Sequence, residues 1–430
     1  MMTLDPVEAL ERLVAIPSVN PMGRQAADPS FGEARLTEHL EAAFSSLGLA
    51  TWRQPVLPGR ENLLAWLEGD VPPDRGGRIV LLDAHQDTVP VEGMTIEPFR
   101  PERREGRLYG RGACDDKGGL AAILAAVARL AADRPPGLPT ILVACTVNEE
   151  YGFSGAKQLA DLWTEKGDRS NLRQAPGGRA PTEGWSRGKL DLSPFSARKP
   201  DAAVALEPTG LDVVVAHKGV IRWQCHARGR AAHSSQPEAG RNAIYLMART
   251  VTALERLAAA LPGGPAHPLC GPATLSVGTI HGGTSVNTVP DRCTIEIDYR
   301  LPPGQDPQAA RNGLIASLAQ QADLAGGLEH APPYMEGLPL SDELSGPLAE
   351  RLAAVVTAVA GGCGRTGVPY ASNAAFYAAV GVPTVVFGPG SLHQAHTADE
   401  WIPLDELYQA AEVLYRFCQC RPHTPCAGWA

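Results

Sequence analysis

Carboxylate and imidazole side chains follow four short apolar runs of the sequence, and these are side chains that bind metal ions. The runs are mostly apolar and β-branched, as in parallel strands buried on both faces of a sheet; they span 78–83, 140–147, 202–206 and 384–387. In open α/β sheets, ligands bind where the carboxyl ends of the strands meet. The polar residues after the runs are therefore predicted to share one site: His85, Asp87, Glu149, Glu150, Glu207 and His396.

The first of these pairs is His85 with Asp87, two residues apart. One imidazole nitrogen can bind a metal while a nearby carboxylate orients the other nitrogen. The alternative is a surface-loop histidine beside an aspartate, which the local sequence leaves open.

Asp115 follows a glycine-rich turn and directly precedes a helical pattern. A dinucleotide loop is disfavoured because the spacing is not G-x-G-x-x-G and acidic residues there would repel a pyrophosphate. One aspartate can instead bridge two metal ions about 3.5–4 Å apart. An N-cap role for Asp115 remains the alternative.

Two adjacent glutamates, Glu149 and Glu150, follow the second run. Their mutual repulsion at the end of a buried strand requires cations, unless they form a solvated acidic turn. One can bind metal while the other acts as a general base. Taken together, two histidines and four acids at four strand ends make a ligand set for two metal ions, and the mixture of imidazole and carboxylate favours zinc.

Three further polar clusters lie later in the chain. His233 could donate a hydrogen bond to a developing oxyanion, Asn287 could present its amide to a ligand, and the Arg300 guanidinium suits a carboxylate. The alternatives are capping, turn or salt-bridge roles.

The elements that must position these residues alternate between strand and helix in the first half. Apolar residues at helical spacing over 120–130 separate the first two runs, and Pro135 and Pro136 end that helix, which predicts a βαβ unit. The predicted fold is therefore α/β, with a doubly wound, mostly parallel sheet.

The pattern changes after His217. Stricter alternation predicts strands over 220–227, 274–280 and 293–300. Amphipathic spacing predicts helices over 242–261 and 307–324. This indicates an inserted α+β domain with a half-exposed sheet. We predict a catalytic domain formed by 1–217 and 333–430, with the insert at 218–332.

Composition excludes several classes of function. The net charge is −9, from 38 basic and 47 acidic residues, which argues against nucleic-acid binding. The longest uncharged stretch, 366–398, is too interrupted for a membrane span, and the first sixteen residues lack a signal-peptide pattern. Nine cysteines without a C-x-x-C pair indicate reduced thiols and a cytoplasmic protein. The segment 165–199 is predicted to be a surface loop, with a lid or docking loop as the alternative.

With these residues assembled, the whole chain resembles the family of di-zinc amidohydrolases and peptidases that includes acetylornithine deacetylase, succinyl-diaminopimelate desuccinylase, aminoacylases and glutamate carboxypeptidases. The similarity extends from Ile16-Pro17-Ser18-Val19-Asn20-Pro21 through the motifs above to His396-Thr397-Ala398-Asp399-Glu400. The stretch 388–400 is most similar to acetylornithine deacetylase.

The resemblance implies roles for the predicted residues. Asp115 would bridge two zinc ions, for which cobalt may substitute, with His85 and Glu207 at one ion and Glu150 and His396 at the other. Asp87 would orient His85, and Glu149 would be the general base toward a metal-bound water. The insert would be a ferredoxin-like lid and homodimerisation domain, in which His233 reaches the partner's active site and Arg300 and Asn287 bind substrate. Two departures stand out, namely Ser372-Asn373-Ala374, where relatives often carry an acid, and the long 165–199 segment.

The resulting functional prediction is hydrolysis of the amide bond of an N-acyl amino acid. A dipeptidase or carboxypeptidase with the same centre, acting on short peptides, is the first alternative, and a non-catalytic oligomeric binding protein is the second. A serine hydrolase is excluded because 152–155 lacks the G-x-S-x-G elbow.

Overall fold

The computed structural model describes residues 4–24, 28–164, 198–324 and 326–419. Its helices are α1 (Pro6–Val14), α2 (Ala34–Ser46), α3 (Lys117–Asp133), α4 (Ser154–Ala160), α5 (Ala243–Ala260), α6 (Pro307–Ala319), α7 (Gly346–Ala360), α8 (Ala374–Ala379) and α9 (Leu404–Phe417). Its strands are β1 (Ala50–Leu57), β2 (Arg60–Leu67), β3 (Ile79–His85), β4 (Glu102–Arg104), β5 (Arg107–Tyr109), β6 (Thr140–Thr146), β7 (Ala202–Ala205), β8 (Val213–His217), β9 (Gly219–Arg228), β10 (Ala232–His233), β11 (Ala266–His267), β12 (Gly271–Pro272), β13 (Thr274–Gly282), β14 (Thr288–Val289), β15 (Arg292–Leu301), β16 (Leu328–His330), β17 (Met335–Gly337), β18 (Arg365–Val368), β19 (Thr384–Val386) and β20 (Trp401–Pro403).

The larger sheet has eight strands in the order β1-β2-β6-β3-β7-β19-β8-β18. Its centre, β6-β3-β7-β19, is parallel, and β18 is parallel to β8. The hairpin of β1 and β2 pairs antiparallel with this centre through β6, and β8 is antiparallel to β19. The sheet is therefore mixed, with the predicted parallel strands at its middle.

Every residue of β3 and β6 is buried, because helices cover both faces of the sheet. Val80 and Leu82 face a core that includes α1, α3, α7 and α9. Ile79 and Leu81 face the opposite core, which includes α4 and α8. This two-sided burial confirms the doubly wound α/β architecture predicted from the apolar runs.

Helix α3 shows why this stretch of sequence is helical. It is rich in alanine and leucine, which are strong helix formers, and twelve of its residues are buried. It ends at Asp133, where Arg134 adopts a left-handed conformation, and Pro135 follows directly. The predicted βαβ unit of β3, α3 and β6 is confirmed.

The second sheet has the order β13-β15-β9-β16, is antiparallel and also pairs β17 with β9. Helices α5 and α6 pack on one face, with Trp223 and Ile295 in the shared core. This α+β unit is inserted between β8 and β18, as predicted. The predicted boundaries 218–332 stay a prediction, and the sheet itself includes β17, which ends at Gly337.

One helix of the insert is shorter than predicted. The apolar spacing over 307–324 predicts one helix, but α6 ends at Ala319. The Leu324 N–H donates to the Gln321 carbonyl at 3.0 Å, so a tight turn returns Leu324 to the core, where it is buried. Within the described residues, none of the helices combines the length and apolar character that crossing a membrane requires.

Candidate metal centre

The predicted ligands meet at one edge of the large sheet. In the parallel register His85 lies opposite Thr146 and Asp83 lies opposite Ala205, so the ends of β3, β6 and β7 are level. Asp115 lies just before α3 at the same edge, and its carboxylate contacts His85. The strand ends and the loop after β19 contribute His85, Glu149, Glu150, Glu207 and His396.

Asp115 lies between two imidazoles. Its Oδ1 is 2.8 Å from Nε2 of His85, and its Oδ2 is 3.2 Å from Nε2 of His396. His396 Nε2 is also 3.1 Å from Oε1 of Glu150. Each carboxylate oxygen of Asp115 thus faces a different histidine, an arrangement that suits a carboxylate shared by two cations.

Two groups of possible ligand atoms occur in the described residues. One comprises His85, Glu149 and Glu207, and the other comprises His85, Asp115 and Glu150, with all atoms of each group within 4.8 Å of one another. Nitrogen and oxygen donors in such groups fit zinc and similar divalent ions.

The electrostatics of the cluster also fit bound cations. Burial raises the pKa of Glu149, Glu150 and Glu207, and the pKa values of Glu149 and Glu207 are raised further by neighbouring carboxylates. Burial lowers the pKa of His396, but Glu150 and Asp115 outweigh it and raise that pKa to about 11. Four buried carboxylates exceed the charge that two imidazoles can balance, so the donor set fits divalent metal ions.

The structure also decides between the alternatives at four of these residues. His85 is 1% exposed, so it is not a surface-loop histidine, and Glu149 and Glu150, at 7% and 9%, do not form a solvated turn. The N-cap position of α3 is occupied by Asp116, not Asp115, and its side chain makes no capping bond.

Asp87 lies beside His85 as predicted, but its carboxylate makes its hydrogen bonds with other groups. His85 Nδ1 donates to the backbone oxygen of Asp87 at 2.8 Å, whereas the nearest carboxylate oxygen is 3.7 Å away. That carboxylate instead accepts the backbone N–H groups of Glu149 and Glu150 at 3.1 and 3.2 Å, and Asn20 Nδ2 at 2.7 Å. Burial opposes its ionisation, but His85 and other donors lower the pKa of Asp87 to about 2. Asp87 therefore holds the glutamate turn as well as the histidine.

A buried ion pair beneath this turn was not predicted from the sequence. Arg60 Nε donates to Glu33 Oε2 at 2.7 Å, and Arg60 Nη1 donates to Asn148 Oδ1 at 2.9 Å. Asn20 donates to the same Asn148 oxygen at 3.0 Å. Asn20 belongs to a motif noted in the sequence, but nothing local to Glu33 or Arg60 indicates that they would meet.

Glu400 was noted in the sequence only as the end of a motif. Its carboxylate pairs with Arg111 at 2.7 Å and accepts the backbone N–H groups of Gly112, Cys114 and Asp115 at 2.9–3.1 Å. It therefore connects the loop that carries His396 to the loop that carries Asp115.

The centre opens into a cavity of about 310 Å³ between the large sheet and the insert. Arg300, predicted to bind substrate, lines this cavity together with Asp115, Glu149, Glu207 and His396. Arg222 of β9 also lines it and was not predicted, because its position opposite β15 depends on strand pairing.

His233 and Asn287 lie away from this cavity, near β10 and β14. His233 pairs with Thr288 between β10 and β14, and its exposed ring contacts Ser235 Oγ at 2.8 Å. The Asn287 backbone oxygen accepts the N–H of Ser234 at 3.0 Å. Neither residue lines the cavity described above. Their predicted roles at a partner's site remain predictions.

The two departures noted in the sequence have different outcomes. Asn373 is buried, and its Nδ2 donates to Asp83 Oδ2 at 3.1 Å and to Thr146 Oγ1 at 2.9 Å. It thus supports the end of β3 rather than lining the cavity. Of the 165–199 segment, residues 165–197 lie outside the described residues.

Comparison with known proteins agrees with the predicted resemblance. A model of the peptidase family M20/M25/M40 matches residues 81–419. An acetylornithine deacetylase from Vibrio campbellii is 30% identical over 420 residues, covering 95% of this chain and 97% of that relative.

Solved structures show the same fold. The metallo-carboxypeptidase Sso-CP2 from Sulfolobus solfataricus aligns with a TM-score of 0.72 at 18% identity, over 96% of this chain and 98% of that one. The YXEP protein of Bacillus subtilis, a dinuclear metal binding peptidase, aligns with a TM-score of 0.62 at 15% identity, over 96% of both chains. The chain therefore belongs to the peptidase family M20/M25/M40 and is a metal-dependent hydrolase that acts on amide bonds.

Proposed function

We propose that the chain hydrolyses the amide bond of N-acyl amino acids, using two zinc ions. The observation that carries the proposal is the carboxylate of Asp115, held between His85 and His396 in a cavity that Arg300 also lines. Such a cavity offers both a reaction centre and a guanidinium for the substrate carboxylate.

The ligands divide into two sets around Asp115. His85 and Glu207 would hold one ion, Glu150 and His396 would hold the other, and Asp115 would contact both. When bound, the two ions supply Lewis acidity that polarises the amide carbonyl and promotes ionisation of water. The sets follow from the resemblance and are supported by the contacts of Asp115 with both histidines.

Glu149 would be the general base. Its side chain lines the cavity, and its backbone N–H is fixed by Asp87, so the carboxylate is presented at the reaction centre. It would accept a proton from the attacking water and deliver it to the departing amine.

A dipeptidase or carboxypeptidase remains the second candidate, because the same centre cleaves any suitably placed amide. The relatives named as acetylornithine deacetylases favour the deacylase. The solved peptidase structures are under 25% identical and bear on the fold alone.

We also propose a homodimer that forms through the insert. Strand β13 lies at the edge of its sheet, where Ile280 is 54% exposed, and the nearby Tyr245 and Val286 are 67% and 99% exposed. Unpaired sheet edges and exposed apolar side chains are typical of protein interfaces. A cytoplasmic location is proposed from the cysteines, since six of those in the described residues, at positions 114, 145, 225, 270, 293 and 363, are free thiols.

Amine release by metal-stripped protein, measured with and without added zinc or cobalt, tests the function. The substrates are N-acetyl, N-succinyl and N-formyl amino acids and simple dipeptides. We expect metal to restore cleavage of an acyl amino acid but not of dipeptides. Preference for dipeptides would instead establish the peptidase, and metal binding without turnover of any substrate would favour a binding protein.

Glu149→Gln tests the proposed base. We expect unchanged metal stoichiometry and a loss of roughly 10²–10⁴-fold in kcat, the usual contribution of a general base. Near-normal turnover of this variant would overturn the assignment.

A further inference from the structure

Two arginines face the cavity from neighbouring strands of the insert. Arg222 lies on β9 directly opposite Asp298 of β15, and Arg300 lies two residues after Asp298 on the same face. Both guanidiniums line the cavity that contains the metal centre. Their side chains are 28% and 22% exposed, so a ligand in the cavity can reach them.

One carboxylate serves both arginines. Arg222 Nε donates to Asp298 Oδ2 at 2.5 Å, and Arg300 donates to the same carboxylate through Nε at 2.7 Å and Nη2 at 3.1 Å. Within the described part of the chain, both Nη groups of Arg222 and Nη1 of Arg300 have no hydrogen-bond partner. The two guanidiniums and the Asp298 carboxylate together carry a net charge of +1, and the arginines have free donors on this side of the cavity.

The rest of the described cavity lining carries no acidic side chain, and its one hydroxyl belongs to Tyr370. Apart from the predicted metal cluster it is uncharged, and comprises Met22, Val89, Phe153, Met335, Tyr370, Ala371 and Leu392. The nearest other acid on this sheet face, Glu296, does not line the cavity, and its two oxygens accept hydrogen bonds from Gln224 and Tyr334.

We propose that Arg222 is a specificity-determining residue that, together with Arg300, selects N-acyl amino acids bearing a second carboxylate and disfavours those with a free ammonium group. The inference rests on the proposed function. The second carboxylate can belong to the amino-acid side chain or to the acyl group, and the chemistry that recognises it is the same.

The physical basis is the set of free donors on Arg222. The substrate α-carboxylate offsets the net charge of +1, and a second carboxylate can still accept hydrogen bonds from the two Nη groups of Arg222. Arg–carboxylate hydrogen bonds are among the strongest that proteins form. An ammonium group beside Arg222 would meet guanidinium donors instead of acceptors, and it would lose its water of hydration without gaining a carboxylate partner there.

Matched substrate pairs that differ in one charge test this assignment. N-acetylglutamate against N-acetylglutamine examines the side chain, and N-succinylalanine against N-butyrylalanine examines the acyl group, with N-acetylornithine as the cationic member. With the metal-loaded wild-type enzyme we expect kcat/KM to favour the carboxylate in at least one pair by about 10- to 100-fold, the size of one charge-assisted hydrogen bond. N-acetylornithine should be the poorest substrate.

The Arg222→Met variant should lose this preference through KM, with a larger loss of kcat/KM for the carboxylate member of the pair than for the neutral member. Arg222→Lys, which keeps the charge, should retain part of it. The matched control is Arg228→Met on the same strand, since Arg228 pairs with Glu329 away from the cavity. Asp298 keeps both hydrogen bonds to Arg300 in the Arg222 variants, so Arg300 should keep its position.

Three outcomes would overturn the inference: no charge preference in either pair, N-acetylornithine as the best substrate, or an equal loss for charged and neutral substrates in Arg222→Met. Turnover of N-acetylglutamine keeps the proposed function intact in each of these cases. If no acyl amino acid is hydrolysed, the proposed function fails, and the inference fails with it.

Discussion

The buried carboxylate of Glu400 accepts the backbone N–H of Asp115 at 3.1 Å, which connects two loops that carry predicted metal ligands and are distant in the sequence. The same carboxylate pairs with Arg111, itself only 3% exposed. Asp115 can contact both histidines only if its loop is held at this distance from His396. Glu400 therefore positions the centre without lining its cavity.

Glu400→Gln should weaken metal binding. The amide presents its own N–H donors to backbone N–H groups and leaves Arg111 buried without a counter-ion. Groups that orient metal ligands in this way typically contribute about 10- to 100-fold to metal affinity or activity. We expect a loss of that size in zinc affinity, measured by competition with a chromophoric chelator.

Glu412→Gln on α9 is the matched control, because Glu412 pairs with Arg129 and Arg416 away from the centre. Its zinc affinity should equal that of the wild type. An unchanged affinity in Glu400→Gln would show that the two loops are held by other contacts.

The Glu33–Arg60 pair predicts a large difference between a buried and an exposed ion pair. Arg60→Met would leave Glu33, which is fully buried, without its counter-ion. Breaking a buried pair in this way costs about 3–5 kcal/mol of unfolding free energy. Urea denaturation should show this loss, and the double variant Glu33→Met/Arg60→Met should recover part of it because no uncompensated charge remains.

Arg53→Met provides the comparison, since Arg53 of β1 pairs with Glu41 of α2 and its side chain is 30% exposed. Exposed pairs contribute about 0–1 kcal/mol. Equal losses in Arg60→Met and Arg53→Met would contradict a structural role for the buried pair.

The strands and the grouping of polar residues at their ends were predictable because their signals are local. An apolar β-branched run followed by a histidine or carboxylate predicts both a buried strand and a residue at its end, and β3 with His85 has this form. Parallel pairing then places the ends together. The family resemblance added the order of the motifs.

The remaining parts of the site depend on pairing that no local pattern contains. Arg222 enters the cavity because Asp298 faces it across two antiparallel strands, and Arg60 meets Glu33 because β2 lies near the start of α2. Asp87 was assigned to His85 from their spacing, yet its carboxylate holds the backbone of Glu149. Hydrogen-bond partners of this kind are set by tertiary structure.

Asn373 gives a prediction about pH. Burial raises the pKa of Asp83 to about 6, and the amide of Asn373 is one of the donors that limit this rise. Asn373→Asp would place a second carboxylate against Asp83 Oδ2, so the two groups would have to share a proton. A carboxyl whose pKa is raised above its unfolded value of 3.8 stabilises the fold below that value, and this contribution is lost as pH rises through the folded pKa. The free energy of unfolding of Asn373→Asp, relative to wild type at the same metal concentration, should therefore fall between pH 5 and pH 8.

Asn373→Ala is the control, because it removes the same donor without adding a charge. Its loss of unfolding free energy relative to wild type should therefore change much less over that pH range. Parallel pH profiles for the two variants would show that the introduced carboxyl does not interact with that of Asp83.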